Sequence, residues 1–333
     1  MDSIDKNPPL LTVLMSVYNE PIGWLHESID SILNQTYSAF EFIIVNDNPS
    51  RAELKELLNT YQNKDSRIVI VDNETNIGLT KSLNKGLAIV KGKYIARMDA
   101  DDISLPQRFE KQIQFMQAHP SVIVCGTQIK RIGSKTKSFP VRMKCDSLSI
   151  KAEMLFDSSL VHPSVIIRKS VLDDNKLRYD EEYKQAQDYR LWEQLYDFGD
   201  FANLDELLLL YRISALQITS RKRSYQRNYA VLIRKRLMNK WLQNMGVNIV
   251  LPEQISFATI SSLRNLVVKK VQDEKQSVFF SQYMRVLYFV CKSGNFKSFL
   301  FAIYTMDIFK FSFKGFLIYL LVLLHLKNKP IEW

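Results

Sequence analysis

The sequence predicts an α/β protein with a doubly wound, mostly parallel sheet, followed by a mainly helical, basic C-terminal region. Three observations carry that reading. Short apolar runs alternate with segments of helical period through the first 120 residues. The chain has 333 residues and is 46% hydrophobic, enough for a sizeable core and too apolar for a disordered protein. Charge is split unevenly: residues 1–215 hold 26 Lys and Arg against 30 Asp and Glu, whereas residues 216–333 hold 19 against 5. The first part has the balance of an acidic enzyme body, and the second calls for an anionic surface. The expected division is therefore 1–215 and 216–333.

The elements follow in order. "LTVLMSVY" (11–18) reads as a strand, and "WLHESIDSILNQ" (24–35) puts Leu25, Ile29, Ile32 and Leu33 on one helical face. "FEFIIVND" (40–47) is a second strand, and "AELKELLNTYQ" (52–62) aligns Leu54, Leu57, Leu58 and Tyr61 as a helix. "RIVIVDN" (67–73) is a third strand. "LTKSLNKGLAIVKG" (79–92) is a helix with Leu83, Leu87 and Val90 in phase and Gly92 as its stop. "KYIARMD" (93–99) is a fourth strand. "SLPQRFEKQIQFMQAHP" (104–120) is a helix that Ser104 and Gln107 would open as a capping box, with Pro106 in the first turn. Beyond residue 120 the pattern is mixed, with a strand at 121–130 and another at 207–214, and helices are expected from 216 onward.

Parallel sheets of this kind bind ligands beyond the carboxyl ends of their strands. Those ends are polar here: Tyr18-Asn19-Glu20, Asn46-Asp47, Asp72-Asn73 and Asp99 to Asp102. Asp99 and Asp101 lie two apart in an extended segment and so face the same way. Two carboxylates on one face suit Mg²⁺ or Mn²⁺, with oxygen-only ligation and no histidine or cysteine nearby. Such a cation takes its remaining ligands from water and phosphate, so a diphosphate is the expected guest. The competing reading is a solvated acidic loop that caps the next helix. The strand before the motif and the helix after it favour the metal site.

The stretch "VLMSVYNEPIGWLHESIDSILNQTYSAFEFIIVNDNPS", followed by "NIGLTKSLNKGLAIVKGKYIARMDADDISLPQRFEKQ", resembles glycosyltransferase family 2 over about residues 10–215. The resemblance implies a Rossmann-like glycosyltransferase A-type fold with a D-x-D motif and transfer that inverts the sugar's anomeric centre. It also implies a nucleotide-sugar donor, a UDP-sugar above all, and a saccharide or lipid-linked acceptor in surface-polysaccharide synthesis of the capsule or lipopolysaccharide kind. Carried over by position, Tyr18 and Glu20 match the segment flanking the nucleoside, and Asp47 the carboxylate that bonds the base. Asn84 matches the asparagine of the helix after "NIGL", and Asp99 the acid near ribose and metal. Asp101 matches the metal ligand that bridges to the diphosphate. Each also has a structural reading: strand-end packing for Tyr18, a solvated charge for Glu20, a turn before Pro49 for Asp47.

The second constellation is "QAQDYRLWEQL". It resembles the family's acid-aspartate-aromatic segment, in which the aspartate is the base. Gln187 replaces the usual glutamate and Asp188 keeps the aspartate. Inverting transfer needs a carboxylate opposite the leaving nucleotide, so a segment remote from the metal motif fits. Asp188 could equally cap a helix that turns Leu191, Trp192 and Leu195 inward. His162 in "LVHPSV" is either a contact to diphosphate or acceptor or a packed turn residue. Two departures concern charge. Asn46-Asp47-Asn48-Pro49-Ser50 stands where two acids and Gly-Ser are usual, and Leu83 stands where the family often has an arginine, with Lys81 on another helical face.

In the basic part, "SRKRSYQRNYAVLIRKRLMNKWL" (220–242) reads as an amphipathic helix with Tyr225, Tyr229, Leu232, Ile233, Leu237 and Leu242 among cations. Within 296–329 the longest uncharged run, "GFLIYLLVLLHL", has 12 residues, against about 20 for a bilayer span. Lying in an anionic membrane interface is the expectation, with a helical core or a homodimer surface as alternatives. Nucleic acid is not expected as a partner, because the charge comes without a base-reading motif. Cys125, Cys145 and Cys291 are too scattered for a disulfide framework or a metal cluster, and no signal-peptide pattern opens the chain. A cytoplasmic protein, peripheral on the membrane's cytoplasmic face, is expected. A sugar-phosphate nucleotidyltransferase would show a glycine-rich N-terminal loop, where "MSVYNEPIG" has only Gly23. A non-enzymatic membrane-docking protein would not need Asp99, Asp101 and Asp188.

Overall fold

A computed structural model describes residues 10–133, 139–155, 157–213 and 223–244. The chain divides into one compact unit of residues 1–151 and 158–229 and another of residues 152–157 and 230–333. The first holds one sheet in the order β3-β2-β1-β4-β8-β6-β9-β5, with β7 paired to β6. Its first four strands, β1 (Leu11–Val17), β2 (Phe40–Asn46), β3 (Ile68–Asp72) and β4 (Tyr94–Asp99), are mutually parallel. Helices α1 (Ile22–Leu33), α2 (Ala52–Lys64) and α3 (Leu79–Leu87) connect them. The far half is mixed. β8 (Ile166–Arg168) is antiparallel to β4 and to β6 (Val122–Ile132), β6 is parallel to β9 (Asp200–Arg212), and β5 (Ile103–Ser104) is antiparallel to β9. β7 is Phe139–Val141.

Strand alternation explains why both faces are covered. Leu11, Val13, Met15 and Val17 of β1 join Phe42 and Ile44 of β2 in one core. Leu25 and Ile29 of α1, Leu54 and Leu58 of α2 and Phe109 and Ile113 of α4 (Arg108–Ala118) complete it. The residues of opposite parity, Leu14 and Val45, meet α3 at Gly86, so that helix lies on the other face. Every residue of β1 and β2 is buried, as expected of a parallel sheet covered on both sides.

Among the boundaries that differ from the sequence reading, two do so because a distant partner claims the residue. The helix expected over 104–120 starts at Arg108, with Gln107 at its N-cap and no side-chain capping bond. Ser104 belongs instead to β5, where it pairs with Leu209. Its N–H donates to Ser31 Oγ at 3.0 Å, and its own Oγ accepts from Gln35 Nε2 at 3.1 Å. The helix expected over 79–92 ends at Leu87, with Ala88 as its C-cap. Gly92 serves a close approach: its N–H donates to Thr12 Oγ1 at 2.9 Å, and Thr12 in turn donates to the Glu41 carboxylate at 2.5 Å. Further along the chain come α5 (Ser147–Met154), α6 (Lys169–Asp174) and α7 (Gln187–Leu195). Leu191, Trp192 and Leu195 of α7 are fully buried, as the sequence suggested.

The basic helix expected over 220–242 is α8 (Arg223–Asn244). Ile233, Leu237 and Trp241 recur every four residues and are buried, together with Ala230 and Met238, whereas Leu232 is half exposed. The side chains of Tyr225 and Leu242 and the whole of 296–329 lie outside the described residues. Among the described residues no helix is long and apolar enough to cross a membrane.

A Cβ at position 92 would stand 2.5 Å from the Thr12 backbone nitrogen. Gly92→Ala should therefore lower stability by about 2 kcal/mol, read by urea denaturation, since backbone must move to make room.

Candidate active site at the carboxyl ends of the strands

Strand register brings the polar strand ends to one rim. Val17 pairs with Asn46, Asn46 with Asp72, and Ser16 with Asp99. The chain then turns over this rim from each strand, which places Glu20, Asp47, Asn73 and Asp99 to Asp102 side by side.

Asp99, Asp101 and Asp102 each offer a carboxylate oxygen, and these oxygens lie within 4.8 Å of one another. Asp99 is paired with Arg97, two residues back on the same face of β4, and its carbonyl accepts from Ser28 Oγ of α1 at 3.0 Å. Asp102 is fully buried; its Oδ1 accepts the Arg212 N–H at 2.7 Å, while Oδ2 has no hydrogen-bond partner. Burial, then the charges of Asp99 and Glu20, push the Asp101 carboxyl up to about 7. Burial raises Asp102 well above the usual range, with Asp99 and Asp101 adding to it. Glu20 is raised too, by burial first, although its carboxylate accepts the Tyr18 N–H at 2.8 Å. Four acids thus share the crevice, and the protein supplies fewer cations than they need. Oxygen-only donors at this spacing, one of them buried and unpartnered, fit a hard divalent cation.

Asp47 is engaged elsewhere. One of its oxygens accepts Asn73 Nδ2 and the Ile77 N–H, each at 2.8 Å, and the other accepts the Gly78 N–H at 2.9 Å and Asn76 Nδ2 at 3.2 Å. This carboxylate fixes the 73–78 loop and sits at the amino end of α3, where an anion is favoured. Gly78, at φ +85°, supplies the left-handed turn into that helix. Tyr18 is half exposed, and its carbonyl accepts from Asn48 Nδ2 at 3.1 Å. Asn84 holds the backbone of Tyr179 from both sides: Nδ2 donates to its carbonyl at 2.8 Å, and Oδ1 accepts its N–H at 3.0 Å. Leu83 is buried, and Lys81 faces Glu181 at 4.0 Å.

Asp188 occupies the first turn of α7, whose N-cap is Ala186, so it does not stand at the capping position. Its charge nonetheless reaches two tyrosines that also feel the acidic turn. Tyr211, raised mainly by burial, also feels Asp102, Asp99, Asp101 and Asp188, and buried Tyr179 feels both Asp188 and Asp99. His162 is a packed residue: Nε2 shares a 2.7 Å hydrogen bond with Tyr179 Oη, and the ring meets Trp192 edge-on. Burial, with Arg97 nearby, lowers its basicity well below the ordinary value, so it is neutral.

Sequence reasoning missed Arg97, Arg212 and the loop asparagines. Arg97 had a signal, since strand alternation puts it on the face of Asp99. Arg212 had none, being 110 residues from the acid it serves.

Comparison with known proteins gives the class of enzyme to which this fold and crevice belong, the glycosyltransferases. The Glycosyl transferase family 2 profile matches residues 12–175. An uncharacterized glycosyltransferase of Methanocaldococcus jannaschii is 40% identical over 214 residues, covering 63% of this chain and 72% of that protein. The amylovoran biosynthesis glycosyltransferase AmsE of Erwinia amylovora is 32% identical over 216 residues, covering 64% and 80%. The fold matches that of S. aureus TarS in complex with UDP with a TM-score of 0.53, at 20% identity, over 80% of this chain and 82% of that one. The chain belongs to glycosyl transferase family 2 and is a glycosyltransferase.

A carboxyl held at about 7 in the fold and near 3.9 when unfolded keeps its proton longer in the folded state. The metal-free protein should therefore lose stability as pH rises from about 4 to about 7. Thermal melts across that range should show the decline, and Asp101→Asn should make it shallower, with Asp102 and Glu20 keeping part of it.

Proposed function

We propose that the protein transfers a sugar, with inversion, from a UDP-sugar to a hydroxyl of a saccharide or lipid-linked acceptor in surface-polysaccharide synthesis. The observation that carries the reading is the crowding of Asp99, Asp101 and Asp102 at one rim. Support for the donor comes from TarS, solved with UDP and with UDP-GlcNAc. Support for the pathway class comes from AmsE and from the O-antigen biosynthesis glycosyltransferase WbnJ of Escherichia coli.

In this mechanism Asp99 and Asp101 hold Mn²⁺ or Mg²⁺. Once bound, the cation would neutralise charge growing on the departing diphosphate. Tyr18 and Glu20 flank the nucleoside, and Asp47 shapes that side through the 73–78 loop it holds. Asn84 keeps the 179–188 segment against the donor side. Asp188 takes the proton from the acceptor hydroxyl as its oxygen attacks the anomeric carbon. Its place in the first turn of α7 favours the carboxylate form, and an acceptor covering it would raise its basicity. The basic chain from residue 216 onward serves as the contact to an anionic membrane surface, which its charge supports.

Screening nucleotide sugars for metal-dependent binding tests the donor. Asp101→Asn should abolish metal-dependent UDP binding by calorimetry; retained metal dependence would remove Asp101 from the metal site. Asp188→Asn should lower kcat by about 10²–10⁴-fold with donor affinity preserved. Near-normal transfer in that variant would end the base assignment.

A further inference from the structure

Arg212, the last residue of β9, touches three parts of the crevice wall at once. β9 runs antiparallel to β5, with Ile103 opposite Leu210, so the strand ends alongside the acidic turn. The Arg212 backbone N–H donates to Asp102 Oδ1, and its Nε donates to the Asp101 carbonyl, both at 2.7 Å. A terminal guanidinium nitrogen pairs with Glu27 of α1, and the guanidinium lies over the Trp24 ring, 4.9 Å from its centre. The side chain is only 12% exposed. One residue therefore ties the turn that carries the acids to the first helix of the fold.

This arrangement is unexpected on charge alone. A fixed cation beside three acids opposes a divalent ion that must bind them. Its contribution has to be geometric. Like charges relax apart when nothing holds them, and an ion must then gather them again at a cost in affinity. Arg212 holds the backbone of Asp101 and one oxygen of Asp102, which fixes the turn between them. The guanidinium's planar fork allows this, because one edge serves the carbonyl while another serves Glu27, and the flat face rests on Trp24.

We propose that Arg212 is a positioning residue for the divalent-cation site, strapping the 101–102 turn to α1 so that the carboxylates are gathered before the ion arrives. The proposal rests on reading Asp99 and Asp101 as the cation's ligands.

The two physical accounts of Arg212 predict opposite signs. If it acted only through charge, its removal would tighten divalent binding. If it positions the turn, removal weakens binding. Mn²⁺ affinity of the full chain, read as free ion by electron paramagnetic resonance without donor or acceptor, separates them. Arg212→Met should raise the Kd for Mn²⁺ about tenfold or more, as loss of a supporting contact does at other metal sites. Arg212→Lys should not restore it, since one ammonium cannot serve the carbonyl, Glu27 and Trp24 together. Trp24→Leu changes no charge and should weaken Mn²⁺ several-fold; it decides the matter if Arg212→Met fails to fold by circular dichroism. Unchanged or tighter binding in the folded variants overturns the proposal while leaving the metal site standing. Failure of the unaltered protein to bind Mn²⁺ overturns both.

Discussion

Three carboxylates held within 4.8 Å of one another are the constraint around which this crevice is built. Two unit charges 5 Å apart repel by about 3 kcal/mol at an effective dielectric of 20. No local propensity would produce such a turn, so the rest of the fold must impose it. The imposition comes from three directions. β4 is locked in register to β1, Arg97 neutralises Asp99 from within the sheet, and Arg212 closes over the turn from β9. Burial first, and the neighbouring acids after it, raise the proton affinity of Asp101 and Asp102.

The neighbouring loops follow the opposite rule, that of full satisfaction. Asp47 accepts four hydrogen bonds from the 73–78 loop. Asn73 also reaches Ser82 of α3 at 2.9 Å, and Lys85 of that helix returns to the Asp72 carbonyl at 2.8 Å. A rim built this way does not need a ligand to be ordered. The crevice thus combines a rigid wall around β2, β3 and α3 with an acidic turn that is under-neutralised by design of the sheet. Removing a partner from the rigid wall leaves buried donors unmet, which is costlier than the bonds themselves are favourable.

The sheet and its polar rim were legible because they rest on local signals. Strand alternation, helical period and the acids that end each strand are visible within ten residues of one another. Ser104 and Gly92 misled for the same reason. Ser104 has the sequence of a helix cap, but β9, a hundred residues on, claims it as a strand partner. Gly92 has the sequence of a helix stop, but the Thr12–Glu41 pair beneath the sheet decides its place. Where a distant element competes with a local preference, the tertiary contact wins, and the sequence holds no short-range record of it. Arg212 shows the same principle inside the site.

That contrast divides the site into two halves of different origin. One half is made from strand ends, so its chemistry is written into consecutive residues such as Asp99 to Asp102. The other half comes from the 160–188 region, which the sheet anchors at the short strand β8 and leaves to side-chain contacts beyond it. Asn84 clasps the Tyr179 backbone, His162 bonds the Tyr179 hydroxyl, and Trp192 packs on His162. Each of these residues places the segment that leads into α7 and Asp188, and none needs to touch a substrate to do so. The acidic turn is therefore fixed by the sheet, while Asp188 follows a segment fastened beyond β8 by Asn84, His162 and Trp192. Substitutions beyond β8 in that segment can move Asp188 without disturbing the strand ends.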